Sequence, residues 1–179
     1  MAEPSGPEAV KFFVAVLWAE PGARTDAQSR LIQRFGEIDY EGPDRAFDLT
    51  NYYEAEMGAN LLRRLIAFAA LRGPDELVRA KRACNEIEAV LAGPHGRRVN
   101  LDLGYLDHNK VVLASVKAAG QKIYLGDGIY ADFVARYAEG RYVPFAWTFP
   151  DFKDGRYDVE LAELRSQYLR QIKHWRTQT

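Results

Sequence analysis

Apolar and polar residues change rhythm several times along this chain, and each change predicts an element. Residues 11–19 (KFFVAVLWA) are apolar without a break and rich in β-branched and aromatic side chains, the mark of a central strand buried on both faces. PGAR reads as a turn. Thr25 then opens a helix with Gln28 in capping-box spacing, Ala27, Leu31 and Phe35 recur at i, i+4 and i+8, and Gly36 supplies a stop. EIDYEG predicts a short strand. FDLTNYYEAEMG begins extended and turns helical near residues 52–56, and LLRRLIAF is compatible with either a strand or a helix. Pro74, followed by Asp75 and Glu76, starts the next helix, whose stripe of Leu77, Ala80, Cys84, Ile87 and Leu91 runs to AGPHG. Residues 97–149 alternate as strands: RRVNLDLGY and KVVLASVK around LDHN, then KIYL and IYADFVARY around GDG, then RYVPFAWTF after EG. Asp158 caps a last helix striped by Leu161, Leu164, Tyr168, Ile172 and Trp175.

This order predicts an α+β fold: one domain with a mainly antiparallel sheet, an N-terminal β-α-β unit and a C-terminal strand meander, packed by about three helices. Residues 1–10, polar and rich in Pro and Gly, are expected to be a flexible tail ahead of a domain spanning 11–179.

Composition narrows the class. The 179 residues are 47% hydrophobic and 27% charged, with 24 Lys+Arg against 25 Asp+Glu. That is an ordinary globular balance without the basic excess of a dedicated nucleic-acid binder. The single cysteine, Cys84, forbids an internal disulfide and falls on an apolar stripe, so it reads as a small buried hydrophobe. No apolar run is long enough to cross a bilayer and the first residues lack signal-peptide order, so a cytoplasmic, non-membrane protein is expected.

Alternation supplies the first candidate site. Val99, Leu101 and Leu103 share one face of their strand, and Arg98, Asn100 and Asp102 share the other. Leu113, Ser115 and Lys117 share a face of the next, and Tyr130, Asp132 and Arg136 alternate with Ile129, Ala131, Phe133 and Ala135. Asn100 and Asp102 are poor strand formers, which needs a reason. A concavity built from these faces suits a small anion: Arg98, Lys117 and Lys122 would grip it and Asn100 would orient it. Asp102 or Asp132 would accept a proton or hold Mg²⁺. A solvated sheet face laced with weak ion pairs explains the same pattern.

FDLTNYYEAEMG is the second candidate. Tyr52 or Tyr53 would stack on a base or sugar, Tyr130 would add to the sheet-face concavity, and Asp48 or Glu56 would be a second carboxylate of an acid/base or metal pair; alternatively Asp48 or Thr50 caps a short helix and the tyrosines pack. Asp151 in WTFPDF reads as a turn residue or a rim carboxylate, and Lys81 as a salt-bridging or snorkelling side chain beside its helix stripe. Several chemistries lack support. There is no P-loop, no dinucleotide fingerprint and no GxSxG elbow, and His95, His108 and His174 have no zinc-site company. Nothing points to Zn, haem or NAD; an oxygen-only Mg²⁺ site stays open.

FDLTNYYEAEMG, AKRACNEIE, RRVNLDLGYL, VLASVK, IYLGDGIYADF and WTFPDF, in this order, carry a resemblance to a bacterial family of uncharacterised domains, the one numbered 4416. The chain departs from that pattern at Leu103 (Pro expected), at Gln121-Lys122 (a His-Arg-like pair expected) and at Asp132 (Glu expected). A Lys122 in place of an arginine would keep the charge and lose the fork geometry. The resemblance implies a single soluble domain and no particular reaction.

The expected function is binding of a small phosphate- or nucleotide-like anion on the polar sheet face, with enzymatic use of the carboxylates left open. The alternative is a non-catalytic module for a protein or an RNA, using exposed tyrosines beside Arg63, Arg64, Arg97 and Arg98. A homodimer through the last helix is the third reading.

Overall fold

The computed structural model describes residues 3–177. Its strands are β1 (Lys11–Trp18), β2 (Ile38–Glu41), β3 (Arg45–Ala46), β4 (Leu62–Phe68), β5 (Val99–Leu106), β6 (Lys110–Ser115), β7 (Ile123–Gly126), β8 (Ile129–Ala138) and β9 (Arg141–Pro144). The helices are α1 (Pro21–Phe35), α2 (Glu54–Met57), α3 (Leu77–Leu91), α4 (Pro150–Lys153) and α5 (Asp158–Trp175), with a 3₁₀ turn at Pro74–Glu76. One nine-stranded sheet runs β2-β4-β1-β5-β6-β8-β7, with β3 on β4 and β9 on β8. Every pairing is antiparallel. The fold is α+β, as the element order predicts.

β1 and β2 each run antiparallel to β4, which lies between them, so the first half is a split β-α-β unit completed by α3 and β5. β1 alternates its side chains between two cores. Phe12, Val14, Val16 and Trp18 pack under α1 and α3, with Ala27, Leu31, Cys84 and Ile87. Phe13 and Ala15 face the other layer, where Leu161, Leu164, Tyr168 and Ile172 of α5 cover the sheet. The stripe at the end of the chain is thus used within the chain. Cys84 is fully buried, and burial pushes its thiol up to about 12, the behaviour of a core residue.

The structure corrects several boundaries. α1 starts at Pro21, because Pro occupies a first-turn position whose N–H would be unpaired anyway. LLRRLIAF is a strand, paired by β1 on one side and by β2 and β3 on the other. The strand expected across RYVPFAWTF stops at Pro144, and Phe145 bonds back to Val134 as the chain turns away. In the expected tail, Ala9 and Val10 are buried and Val10 exchanges backbone bonds with Arg72; Met1 and Ala2 lie outside the described residues, as do Gln178 and Thr179 at the other end. A bulge where β6 meets β8 turns Arg136 out of the face expected for it, leaving it exposed while Asp132 is buried.

Candidate functional site

β5 and β6 are paired only at Gly104, Tyr105 and Leu106, opposite Leu113, Val112 and Val111. At Gly104 the approach is so close that an added Cβ would stand 2.5 Å from the Val112 carbonyl oxygen. Beyond that point the strands part. β5 stays on β1 and β6 stays on β8, so a slot opens between Asn100–Asp102 and Ser115–Lys117. Leu101, which would have paired with β6, is served by side chains of α3: Lys81 Nζ donates to its carbonyl at 2.8 Å, and its N–H donates to Glu88 Oε1 at 2.6 Å. Both side chains are buried. Burial raises the Glu88 carboxyl above its ordinary value, against the opposing pull of Lys81 and the Leu101 N–H.

The slot is the base of a cleft of about 410 Å³. Its floor is the sheet face carrying Asn100, Asp102, Leu113, Ser115 and Asp132; its walls are largely apolar and include Phe47, Leu49, Tyr52 and Tyr53 on one lip and Phe149, Pro150 and Phe152 on the other. Arg63 of β4 ties these parts together. Its guanidinium donates to Asp102 and to Asp151, each at 2.5 Å, and lies 4.5 Å from the centre of the Phe47 ring. Burial opposes its charge, but the two carboxylates more than offset this and raise its pKa. Tyr53 is pushed up to about 12, first by burial and then by the Asp102 charge.

Arg97 closes one end. Its guanidinium and its backbone N–H both bond Glu56, and Nη1 donates 2.7 Å to Asn100 Oδ1. That bond fixes the amide, leaving Nδ2 as its free end. The Arg97 contact holds Glu56 below its ordinary pKa. Across the floor, Lys122 Nζ lies 2.8 Å from Ser115 Oγ and 3.3 Å from Asp132 Oδ2, with both Lys122 and Asp132 side chains nearly inaccessible. Lys117 stands at the mouth. It donates 2.8 Å to Tyr52 Oη, has no carboxylate partner among the described residues, and lowers the Tyr52 pKa through that bond.

Among the described residues, buried side-chain atoms without a partner occur at Arg63 Nε, Asn100 Nδ2 and Asp132 Oδ1, and also at Arg72, Glu160 and Gln167. The first three residues all line the cleft. Formal charges on the lining balance: Arg63, Lys81, Arg97 and Lys117 against Glu88, Asp102, Asp132 and Asp151. No group of three or more His, Cys, Asp and Glu among the described residues is placed to hold a metal ion.

Of the residues singled out from sequence, Asn100, Asp102, Lys117, Asp132 and Tyr53 line one cleft, and Lys122 supports Asp132 from beside it. Three do not join them. Arg98 precedes β5 in a loop and bonds Glu20 at the surface: the chain becomes extended only at Val99, so Arg97, one residue earlier, is the arginine that reaches in. Asp48 is exposed and paired with Arg156. Tyr130 lies beyond the cleft and packs on Tyr124 of β7. Sequence reasoning placed Arg63 only among arginines for an RNA, read Lys81 as a salt-bridging or snorkelling side chain and Asp151 as a turn residue or rim carboxylate; Arg63 is instead the hub that joins Asp151 to Asp102, and Lys81 acts with Glu88, a residue not singled out, as a pair on Leu101. The pair had a signal, since Lys81, Asn85 and Glu88 fall at i, i+4 and i+7 beside the apolar stripe, and all three line the cleft.

An open antiparallel sheet, covered on both faces and split into a cleft where two strands part, defines the class of fold. Residues 8–168 match the family described as "Domain of unknown function (DUF4416)", most of the chain, and the protein belongs to that family. No curated protein matches the chain, and no solved structure matches it.

Proposed function

We propose that the cleft between β5 and β6 binds a small molecule with a flat, largely apolar body and one anionic group, the body between the aromatic lips and the anion at Lys117 and Tyr52. The observation that carries this reading is that Arg63, Asn100 and Asp132, each with a buried polar atom that has no partner, all line one aromatic-walled cleft. Leaving such an atom unmade costs about 1–3 kcal/mol, so three on the lining of one cavity call for a ligand that completes them. The volume lies in the usual range for small-molecule sites.

The anion belongs at the mouth for an electrostatic reason. Arg63 and Arg97 are neutralised by carboxylates, Lys81 serves a backbone carbonyl, and an anion on the floor would face Asp102, Asp132, Asp151 and Glu88. Lys117 keeps N–H donors free, and the Tyr52 hydroxyl that accepts from it still has its own proton to give. Should the site be catalytic, Asp132 is the proton acceptor of choice, because Lys122 holds one of its oxygens and leaves the other open. The arginines that an RNA-binding reading needs are occupied: Arg63, Arg64, Arg97 and Arg98 all carry carboxylate partners.

A thermal-shift screen tests this. Nucleotides, sugar phosphates, polyphosphate, amino acids, Mg²⁺ and Mn²⁺ would be offered to the wild type, Lys117→Ala and Asp102→Asn. A ligand at a hundred times its Kd stabilises the fold by about 2.7 kcal/mol. The expected result is a rise in Tm with an amphipathic anion that Lys117→Ala loses. No rise with any compound overturns the reading.

A further inference from the structure

We infer that the body of the ligand is a nucleobase-type heterocycle, uncharged and carrying both hydrogen-bond acceptors and a donor, so that the molecule is a nucleoside monophosphate rather than a sugar phosphate or an amino acid. This rests on the cleft reading above and specifies its substrate class.

The requirement follows from what each unpartnered atom can do. Asn100 is 4% exposed, and with Oδ1 taken by Arg97 its free end is an N–H₂ that needs an acceptor. Arg63 Nε is a second donor with the same need. Asp132 is 3% exposed, and with Oδ2 facing Lys122 its free Oδ1 needs a donor. Asn100 and Asp132 sit on β5 and β8 with β6 between them, so one small polar group cannot satisfy both. A ring with polar atoms on opposite edges can.

Charge and shape narrow the class further. The lining as a whole is electrically balanced and its floor carries the carboxylates Asp102 and Asp132, which rejects a second anionic group there. An amino acid would bring a carboxylate and an ammonium close together, whereas Lys117, the lining cation without a carboxylate partner among the described residues, stands at the mouth, away from the carboxylates of the floor. A sugar would leave the aromatic walls of the cleft, which include Tyr52, Tyr53 and Phe149, without a matching ring, and every base offers a π-face to such walls. The parted strands run from the pinch at Gly104 and Leu113 out to Asn100 and Lys117, so a ring seated inside leaves its phosphate by Lys117.

The test is isothermal titration of the full chain with AMP, GMP, CMP, UMP, ribose 5-phosphate and inorganic phosphate, repeated with Asn100→Asp and Asp132→Asn. At least one mononucleotide is expected to bind ten-fold or more tightly than ribose 5-phosphate. Both variants should erase that preference, bringing the mononucleotide down to the affinity that the same variant shows for ribose 5-phosphate. The matching free nucleoside in excess should displace the nucleotide. If ribose 5-phosphate binds as tightly as every nucleotide, or the preference survives in a folded variant, the heterocycle assignment falls while the anion-binding cleft stands. If none of the probes binds, the heterocycle assignment falls, and the cleft reading falls with it if the thermal-shift panel also gives no rise. The wild-type preference is decisive by itself and remains so where a variant fails to fold.

Discussion

The two ends of the β5–β6 pair behave as different materials. At Gly104, Tyr105 and Leu106 the strands are zipped, and β6 lies so close that only glycine fits at 104. A few residues away, at Asn100–Asp102, the partner strand is gone, and its place is taken by long charged side chains: Lys81 and Glu88 from α3, Arg63 from β4 and Arg97 from the preceding loop. Backbone pairing satisfies polar groups locally and leaves no room. Side chains satisfy them at a distance and leave a cavity between. The parted end can therefore present polar atoms to a ligand without exposing unpaired backbone of Leu101.

Perturbing each end should give effects that differ in size and kind. The largest belongs to Arg63→Ala, which strands the buried Asp151 and the half-buried Asp102 without their shared counter-ion. Loss of a buried pair partner costs about 3–5 kcal/mol, and urea unfolding would measure it. Gly104→Ala at the zipped end forces a Cβ into the Val112 backbone, and overpacking of this kind costs about 1–3 kcal/mol. It should lower the urea midpoint without a change in slope. Lys81→Met keeps the apolar stem but leaves the Leu101 carbonyl unpaired, for about 1–3 kcal/mol; amide exchange should rise along β5 on the slot side and remain slow at Tyr105.

The pH dependence of two carboxylates at the parted end should have opposite signs. Burial raises Glu88, so its protonated form is the one the fold prefers, and the cost of its charge appears as pH rises through the folded pKa. Wild type should therefore gain on Glu88→Gln as pH falls from 7 to 4. Arg97 depresses Glu56, so its stabilisation is present above the ordinary value of 4.5 and is lost as pH falls through the lower folded pKa. Wild type should lose its advantage over Glu56→Gln in that direction. Paired unfolding curves at pH 7 and 4 check Glu88, and a further pair below pH 4 checks Glu56. The smallest effect belongs to Lys117→Ala, an exposed residue whose loss should move stability by no more than about 0.5 kcal/mol while abolishing the ligand-induced Tm shift.

Much of this could be read from the chain. Period-2 alternation put Asn100, Asp102, Ser115, Lys117 and Asp132 on matching faces of successive strands, and those side chains do surround one cleft. The oddity of Asn and Asp inside a strand was a true signal of local irregularity. Alternation failed where its phase was uncertain: at Arg98, which lies before the strand begins, and at Arg136, beyond a bulge. It could not identify Arg63, whose importance comes from two carboxylates distant in sequence, Asp102 and Asp151.

By itself the sequence determined most of the elements, though neither the strand at Leu62–Phe68 nor the short β3 and α4, together with the antiparallel α+β class, the buried faces of β1, α1, α3 and α5, and the polar face of β5. These depend on periodicity and turn chemistry, which act over a few residues. Only the tertiary structure decided that β6 leaves β5 after Gly104, that α3 sends Lys81 and Glu88 into the gap, and that each interior arginine is neutralised while Lys117 keeps donors free. Those outcomes depend on which strands meet and where they part, and on distances between groups far apart in the chain, quantities that no local pattern encodes.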